Sequence, residues 1–220
     1  ASICFEMVSV PSGDYTYGES DETLTIDYDF EISKYEITNA QYVAYLEEAL
    51  INGDITVTSN SVTGYYEGDE HYGAGDQEYL DLDDSDCEIS YSNGSFSVDT
   101  DKENHPVIEV TWYGANAFAH HYDMRLPNEY EWEKTARGNT GNNYPWGNNT
   151  PTCELANYYG CVGSTQEVGI TTGISPYGAY DMAGNVWEWT DSWWSESSSV
   201  RVTRGGSWSN NYISCQSWSR

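Results

Sequence analysis

Three short segments with helix-capping signals interrupt a chain that otherwise alternates strand-like runs with turns. Thr38 with Gln41 and Asn128 with Glu131 form capping boxes, and Thr111 is a further N-cap. We therefore predict helices over 39–52, 112–122 and 129–137. Short helices inside an irregular, Gly- and Trp-rich β framework indicate an α+β fold.

The charge of the chain excludes two classes of partner. The 220 residues include 8 Lys and Arg against 36 Asp and Glu, a formal charge of −28. Binding to nucleic acid or to an anionic membrane surface needs a basic face, which so few cations cannot supply. No apolar run is long enough to cross a bilayer, so we expect no membrane insertion. Aromatic residues, at 15%, are too abundant for a disordered acidic chain, so we expect the chain to fold.

We expect residues 1–220 to form one domain without a linker. Within it, 52–104 is rich in Gly, Asp and Tyr and shows no sustained period, so it is interpreted as a long loop carrying short strands at 55–58 and 88–98. The acidic stretch 81–86 lacks the Gly and the closing Glu of an EF-hand loop. A solvated turn is favoured there over a calcium site.

The cysteines bear on the location of the protein. Five cysteines and few lysines favour an extracellular location, or a cell or virion surface. Cys153 and Cys161 are close enough in sequence to pair across a loop, and Cys4 with Cys87 form a possible second pair, which leaves Cys215 single. Five reduced thiols are the alternative.

Several motifs in the second half of the chain are specific. They read RLPNEYEWEKTARG at 125–138, YPWG at 144–147, PYGAYDMAGNVWEWTDSWW at 176–194 and RVTRGGSW at 201–208. In this order they resemble the formylglycine-generating enzyme, or sulfatase-modifying factor, family over essentially the whole chain. The resemblance implies the family's variant of the C-type lectin fold. It does not by itself imply the activity, because one fold hosts many functions.

The resemblance implies a catalytic pair of cysteines that binds copper(I) just beyond the Gly-Gly-Ser segment. Carried onto this sequence, the first cysteine falls at Asn210 and the second at Cys215. Copper(I) selects soft sulfur ligands, and an amide cannot replace a thiolate. We therefore expect a non-catalytic protein without copper. The alternative is a copper-dependent oxidase that converts a protein cysteine to formylglycine with Cys215 alone.

The resemblance also implies a structural calcium ion in the segment 181–188. Position by position, Asp181 and Glu188 supply carboxylate oxygens, and Gly184 and Val186 supply backbone carbonyls. Hard oxygen ligands on a tight turn suit calcium. An ordinary hydrogen-bonded turn is the alternative.

The segment 209–219 takes the place of the family's ligand-facing region. Small polar and aromatic residues of this kind form adaptable binding surfaces, and variable proteins of diversity-generating retroelements are similar here. We expect it to bind an unknown protein or glycan ligand through Trp208, Ser209, Asn210, Asn211, Tyr212, Ser214 and Trp218.

The family's C-terminal return strand is not found before Arg220. Either the sequence is cut there, or the final strand comes from elsewhere, for example from another subunit by strand addition. In the second case an exposed sheet edge would be a site of self-assembly. The favoured function is a secreted ligand-binding or surface-assembly domain. A structural subunit of an extracellular filament or virion is a further alternative.

Overall fold

The computed structural model describes residues 3–220 and has an α+β architecture, as predicted. Helix α1 spans Asn39–Asn52, α2 spans Trp112–His121 and α3 spans Glu129–Arg137. The strands are β1 Met7–Val10, β2 Gly13–Tyr17, β3 Glu22–Ile26, β4 Phe30–Ser33, β5 Ile55–Val57, β6 Ser61–Tyr66, β7 Gly75–Asp81, β8 Ile89–Ser92, β9 Ser95–Val98, β10 Glu188–Trp193 and β11 Arg201–Arg204. No helix among the described residues is long and apolar enough to cross a membrane.

The helix caps confirm the local predictions. Capping boxes at Thr38 and Asn128 open α1 and α3, and the Thr111 side chain accepts a hydrogen bond from the Gly114 N–H at the start of α2. Gly53 ends α1 in the left-handed conformation, with φ of 82°. Each cap provides a partner for backbone N–H groups that have none within the helix.

The chain divides into two compact units. Unit 1 comprises the chain up to Glu36, Pro127–Ser192 and Val202–Arg220, and unit 2 comprises Ile37–Leu126 and Trp193–Arg201. The interpretation of residues 1–220 as one domain stays a prediction.

In unit 1, β1 pairs antiparallel with β4, with Val8 opposite Ile32, and β2 pairs antiparallel with β3. One core cluster combines β1 with α3 and the segment 179–182; its buried members are Val8, Trp132, Ala136, Ala179 and Met182. A second cluster contains Tyr144, Ala156, Ala183 and Cys215, with Trp146 and Tyr158 packed against it.

Buried ion pairs surround α3. The fully buried Glu133 accepts hydrogen bonds from Arg137 Nη1 at 3.1 Å and from Arg204 Nη2 at 2.7 Å. Arg204 also lies 3.4 Å from Glu129. Since buried charges are tolerated only when they are paired, these arginines and glutamates depend on one another.

In unit 2, the interpretation of 52–104 as a long loop is wrong. The predicted strands are present as β5 and the β8–β9 hairpin, but the segment also contains β6 and β7, which extend β5 into a three-stranded antiparallel sheet. A register shift lies between Val62 and Thr63 of β6. Between α1 and α2, the rings of Tyr42 and Phe118 stack, and the ring of Tyr45 meets both edge-to-face.

Candidate functional site

The segment 181–188 forms a tight turn in unit 1. Asp181, Gly184 and Asn185 all have positive φ, at 56°, 84° and 63°. A Cβ at Gly184 would lie 2.2 Å from the carbonyl oxygen of Asn157, which pairs with Gly184 in a β-bridge. Only glycine permits this approach, so the turn is fixed against the chain at Asn157.

Glu188 presents a buried oxygen at this turn. The residue is partly exposed, and its buried Oε1 has no hydrogen bond of good geometry within residues 3–220; the Trp132 indole N–H, which also lacks one, interacts with this carboxylate. This oxygen and the Val186 carbonyl oxygen both lie near Gly205. A Cβ built on Gly205 would be 3.6 Å from the first and 3.8 Å from the second. Burial raises the pKa of Glu188 to about 8; the Trp132 indole acts against this change and the Asp181 carboxylate adds to it.

Asp181 is buried and already hydrogen-bonded. Its Oδ2 accepts from the Gly169 N–H at 2.6 Å, and its Oδ1 accepts from the Thr171 hydroxyl at 2.9 Å. Burial raises the pKa of Asp181, and these two hydrogen bonds oppose the rise. The carboxylate therefore anchors the 169–171 segment to the turn while it retains further lone pairs for a cation.

A third carboxylate at this turn was missed from the sequence. Glu36 is buried, and it accepts hydrogen bonds from Asn185 Nδ2 at 2.6 Å and from the Val186 N–H at 3.1 Å. Its pKa is raised well above the usual range by burial, then by Asp181 and Glu188. The local signal was weak, an acidic residue between Tyr35 and Ile37 just before α1.

The residues present fit a hard cation better than a soft one. The Glu188 Oε1 lies beside the Val186 carbonyl oxygen and has no hydrogen bond of good geometry, and the Asp181 carboxylate is close enough to raise the pKa of Glu188. Oxygen donors of this kind are the ones that calcium prefers. Across residues 3–220, no three His, Cys, Asp or Glu side chains converge as a metal-binding group. Backbone carbonyls, as predicted for Gly184 and Val186, would therefore have to complete the set.

At the position expected for the copper pair, Asn210 has a structural role. Its Oδ1 accepts hydrogen bonds from the Trp187 indole N–H at 2.9 Å and from the Ser207 hydroxyl at 2.6 Å. Cys215 is buried, and its Sγ lies 3.9 Å from the Asn211 carbonyl oxygen. Burial raises the pKa of the Cys215 thiol to about 12, so it remains protonated at neutral pH.

One of the two predicted cysteine pairs is present. Cys153 and Cys161 form a disulfide, with 5.4 Å between their Cα atoms. The Cys4–Cys87 pair is wrong, because both thiols are free. Cys4 is exposed in unit 1, whereas Cys87 is half-buried in unit 2, where its Sγ lies 3.4 Å from the Ile89 carbonyl oxygen.

The predicted ligand-binding residues divide into exposed and anchored groups. Ser209, Asn211 and Tyr212 are exposed, whereas Trp208, Asn210, Ser214 and Trp218 are half-buried. Trp218 packs against the Arg137 guanidinium, 5.1 Å from its ring centroid, which gives it a role in the core.

The sequence did not reveal a neighbouring surface on the disulfide loop. The Tyr159 N–H donates to the Asn210 carbonyl at 2.8 Å, and the rings of Tyr158 and Tyr212 lie 6.1 Å apart. Tyr159 is 73% exposed, and Ile213, adjacent to Tyr212, is also exposed. No motif marks Tyr159, because only the fold brings it beside 209–213.

Comparison with known proteins gives one consistent result. Residues 2–220 match the sulfatase-modifying factor enzyme 1-like domain. The formylglycine-generating enzyme of Thermomonospora curvata is 40% identical over 146 residues, which cover 52% of this chain and 48% of that protein. The bovine (Bos taurus) inactive C-alpha-formylglycine-generating enzyme 2 is 40% identical over 121 residues, which cover 49% of this chain and 40% of that protein. The match spans less than half the length of either relative.

The fold also has a solved counterpart. Treponema denticola variable protein 1 superimposes with a TM-score of 0.66 at 22% identity, and the match covers 100% of this chain and 90% of that one. This likeness shows the fold, and it confirms the predicted class.

Proposed function

The chain belongs to the sulfatase-modifying factor family, and we propose that it is a non-catalytic member, a secreted ligand-binding domain with a structural calcium site. The name of the bovine relative indicates that inactive proteins occur among its relatives. Surface assembly is the other use that such a domain could have.

The observation that carries the proposal is the environment of Asn210. Its amide oxygen holds Trp187 and Ser207 where the family places a copper-binding thiolate. The remaining thiol, Cys215, is buried and protonated at neutral pH. Because copper(I) needs soft, deprotonated sulfur ligands, neither residue is suited to bind it.

Asp181, Glu188 and the carbonyls of Gly184 and Val186 would hold calcium. The ion supplies positive charge beside buried carboxylates. Without it, Glu188 has a buried oxygen with no hydrogen bond of good geometry and a pKa of about 8. The turn they occupy joins the chain at Asn157 to the chain at Gly205, through hydrogen bonds from Asn185 N to Asn157 O and from Gly184 N to Gly205 O, both at 2.8 Å. Occupancy would therefore stabilise the frame of unit 1.

A secreted location is supported by the Cys153–Cys161 disulfide, because such bonds persist in oxidising compartments. The ligand would contact the exposed side chains near 209–213, which combine aromatic, amide and hydroxyl groups in the manner of adaptable binding loops.

Copper(I) titration tests the non-catalytic assignment. We expect the wild-type protein and Cys215→Ser to compete equally poorly with a chromogenic copper(I) chelator, whereas Asn210→Cys gains copper(I) affinity because it restores a second thiol. Oxidation of a cysteine-containing sulfatase peptide is measured in parallel. One tightly bound copper per wild-type chain that is lost in Cys215→Ser would overturn the proposal and favour the oxidase.

A further inference from the structure

Charge is distributed very unevenly along this acidic chain. Between Gly138 and Trp187 the only charged residues are Glu154, Glu167 and Asp181, and none occurs from 205 to 219. Asp181 is buried, so only two carboxylates of these segments are exposed. The remaining negative charge lies on other parts of the chain.

The fold of unit 1 brings these uncharged segments together. The Ser217 N–H donates to the Asn143 carbonyl at 2.9 Å, and the Tyr159 N–H donates to the Asn210 carbonyl at 2.8 Å. Tyr144, Ala156 and Cys215 share one core cluster beneath them. The result is an uncharged face, defined by the exposed residues Tyr159, Ser209, Asn211, Tyr212 and Ile213.

The chemistry of the uncharged face selects its partner. It offers no countercharge to an ionic ligand, and the net charge of −28 disfavours an approaching polyanion. Its tyrosine rings can pack against apolar C–H groups, and its Ser and Asn side chains can donate and accept hydrogen bonds. A sugar ring without charged substituents presents both kinds of group.

A protein partner fits less well. A stable protein interface covers about 800 Å² on each side. An interface of that size would need many more side chains than these five. A short oligosaccharide needs only the face itself.

We propose that the uncharged face binds a neutral, hydroxyl-rich glycan, an inference that rests on the proposed ligand-binding function. Tyr159 and Tyr212 provide the aromatic contacts. Ser209 and Asn211 provide the hydrogen bonds. The disulfide between Cys153 and Cys161 fixes the loop that carries Tyr159.

The test uses an array of neutral, sialylated and sulfated glycans, followed by calorimetry with the neutral oligosaccharide that binds best. We expect neutral glycans to bind, with a Kd that changes less than about twofold between about 50 and about 500 mM NaCl, because screening acts only on charged partners. Tyr159→Ala and Tyr212→Ala should each weaken binding by about tenfold or more, as expected for aromatic anchors. Circular dichroism checks that these surface variants fold.

Tyr65→Ala is the matched control, since Tyr65 is exposed to 57% on unit 2 and should leave the Kd unchanged. Binding confined to sialylated or sulfated glycans, or no binding on the array, would overturn the inference. A protein ligand captured through Tyr159 and Tyr212 without any glycan binding would also overturn it, but it would leave the proposed binding function intact. Copper binding by the wild-type protein would refute the proposed function separately.

Discussion

Replacement of Glu188 by glutamine tests two properties of the carboxylate turn, the segment 181–188 with Glu36. One is the loss of stability caused by a buried charge, and the other is calcium binding. Burial raises the pKa of Glu188 from 4.5 to about 8. A carboxyl group whose folded pKa is raised contributes its full stability below the unfolded pKa, and that stability is lost as the pH rises toward the folded pKa. At about 1.4 kcal/mol per pH unit, the free energy of unfolding of the calcium-free protein should fall by about 4 kcal/mol between pH 4.5 and pH 8 from this group.

Glu188→Gln has no charge to lose, so its stability should lack this component. In EGTA we expect the variant to match the wild-type protein near pH 5 and to exceed it by about 4 kcal/mol near pH 8. Calcium should reverse the order, because the wild-type carboxylate gains a cation whereas the amide is a weaker ligand. Urea unfolding followed by tryptophan fluorescence, across this pH range with EGTA or calcium, measures both effects.

Glu19→Gln is the matched control, since Glu19 is an exposed carboxylate in unit 1 and should leave the response to calcium unchanged. If the free energies of unfolding of Glu188→Gln and wild type differ by the same amount at pH 5 and pH 8, ionisation of Glu188 does not reduce stability. The calcium site fails if calcium stabilises wild type and variant equally, or neither.

Two further perturbations test unit 1. Glu133→Gln should lower the free energy of unfolding by about 3 kcal/mol or more, because it leaves Arg137 and Arg204 buried with less countercharge. Chemical denaturation measures this loss, with Glu19→Gln as the control. A loss below about 0.5 kcal/mol would contradict the prediction. The double variant Cys153→Ser and Cys161→Ser should cost about 2–3 kcal/mol, the loop-closure value for a separation of eight residues. Thermal melting with and without reductant checks it, and an unchanged Tm on reduction of the wild type would refute it.

Local chemistry explains why some elements could be predicted and others could not. The helices follow from side chains within four positions of each other, such as Thr38 and Gln41, so their caps were visible in the sequence. Strand β6 depends on a distant contact: a Cβ at Gly64 would lie 2.3 Å from the Tyr79 ring, so glycine is required by packing that no local pattern shows. Its Gly- and Tyr-rich composition therefore resembled a loop.

The candidate site shows the same division. Asp181 and Glu188 share one short segment, so a resemblance carried along that segment identified both. Glu36 reaches the turn from 149 residues away, through Asn185, and nothing near it in sequence indicates this role. Tyr159 is likewise brought next to Asn210 and Tyr212 only by the fold, because they are about 50 residues apart in the sequence.

The hydrogen bonds of Asn210 are compatible with the proposed binding role, because they keep the frame of unit 1 in place. Its amide oxygen accepts from Trp187 and Ser207, so hydrogen bonds hold the loop conformation that leads into the exposed segment. The carboxylate turn uses other atoms, those of Glu36, Asp181 and Glu188, and needs no thiol. Substitutions at the exposed side chains of 209–213 therefore act on solvent-facing contacts, where changes in stability are small. Under the proposed binding function, ligand preference would change through that loop while the buried turn keeps the fold of unit 1.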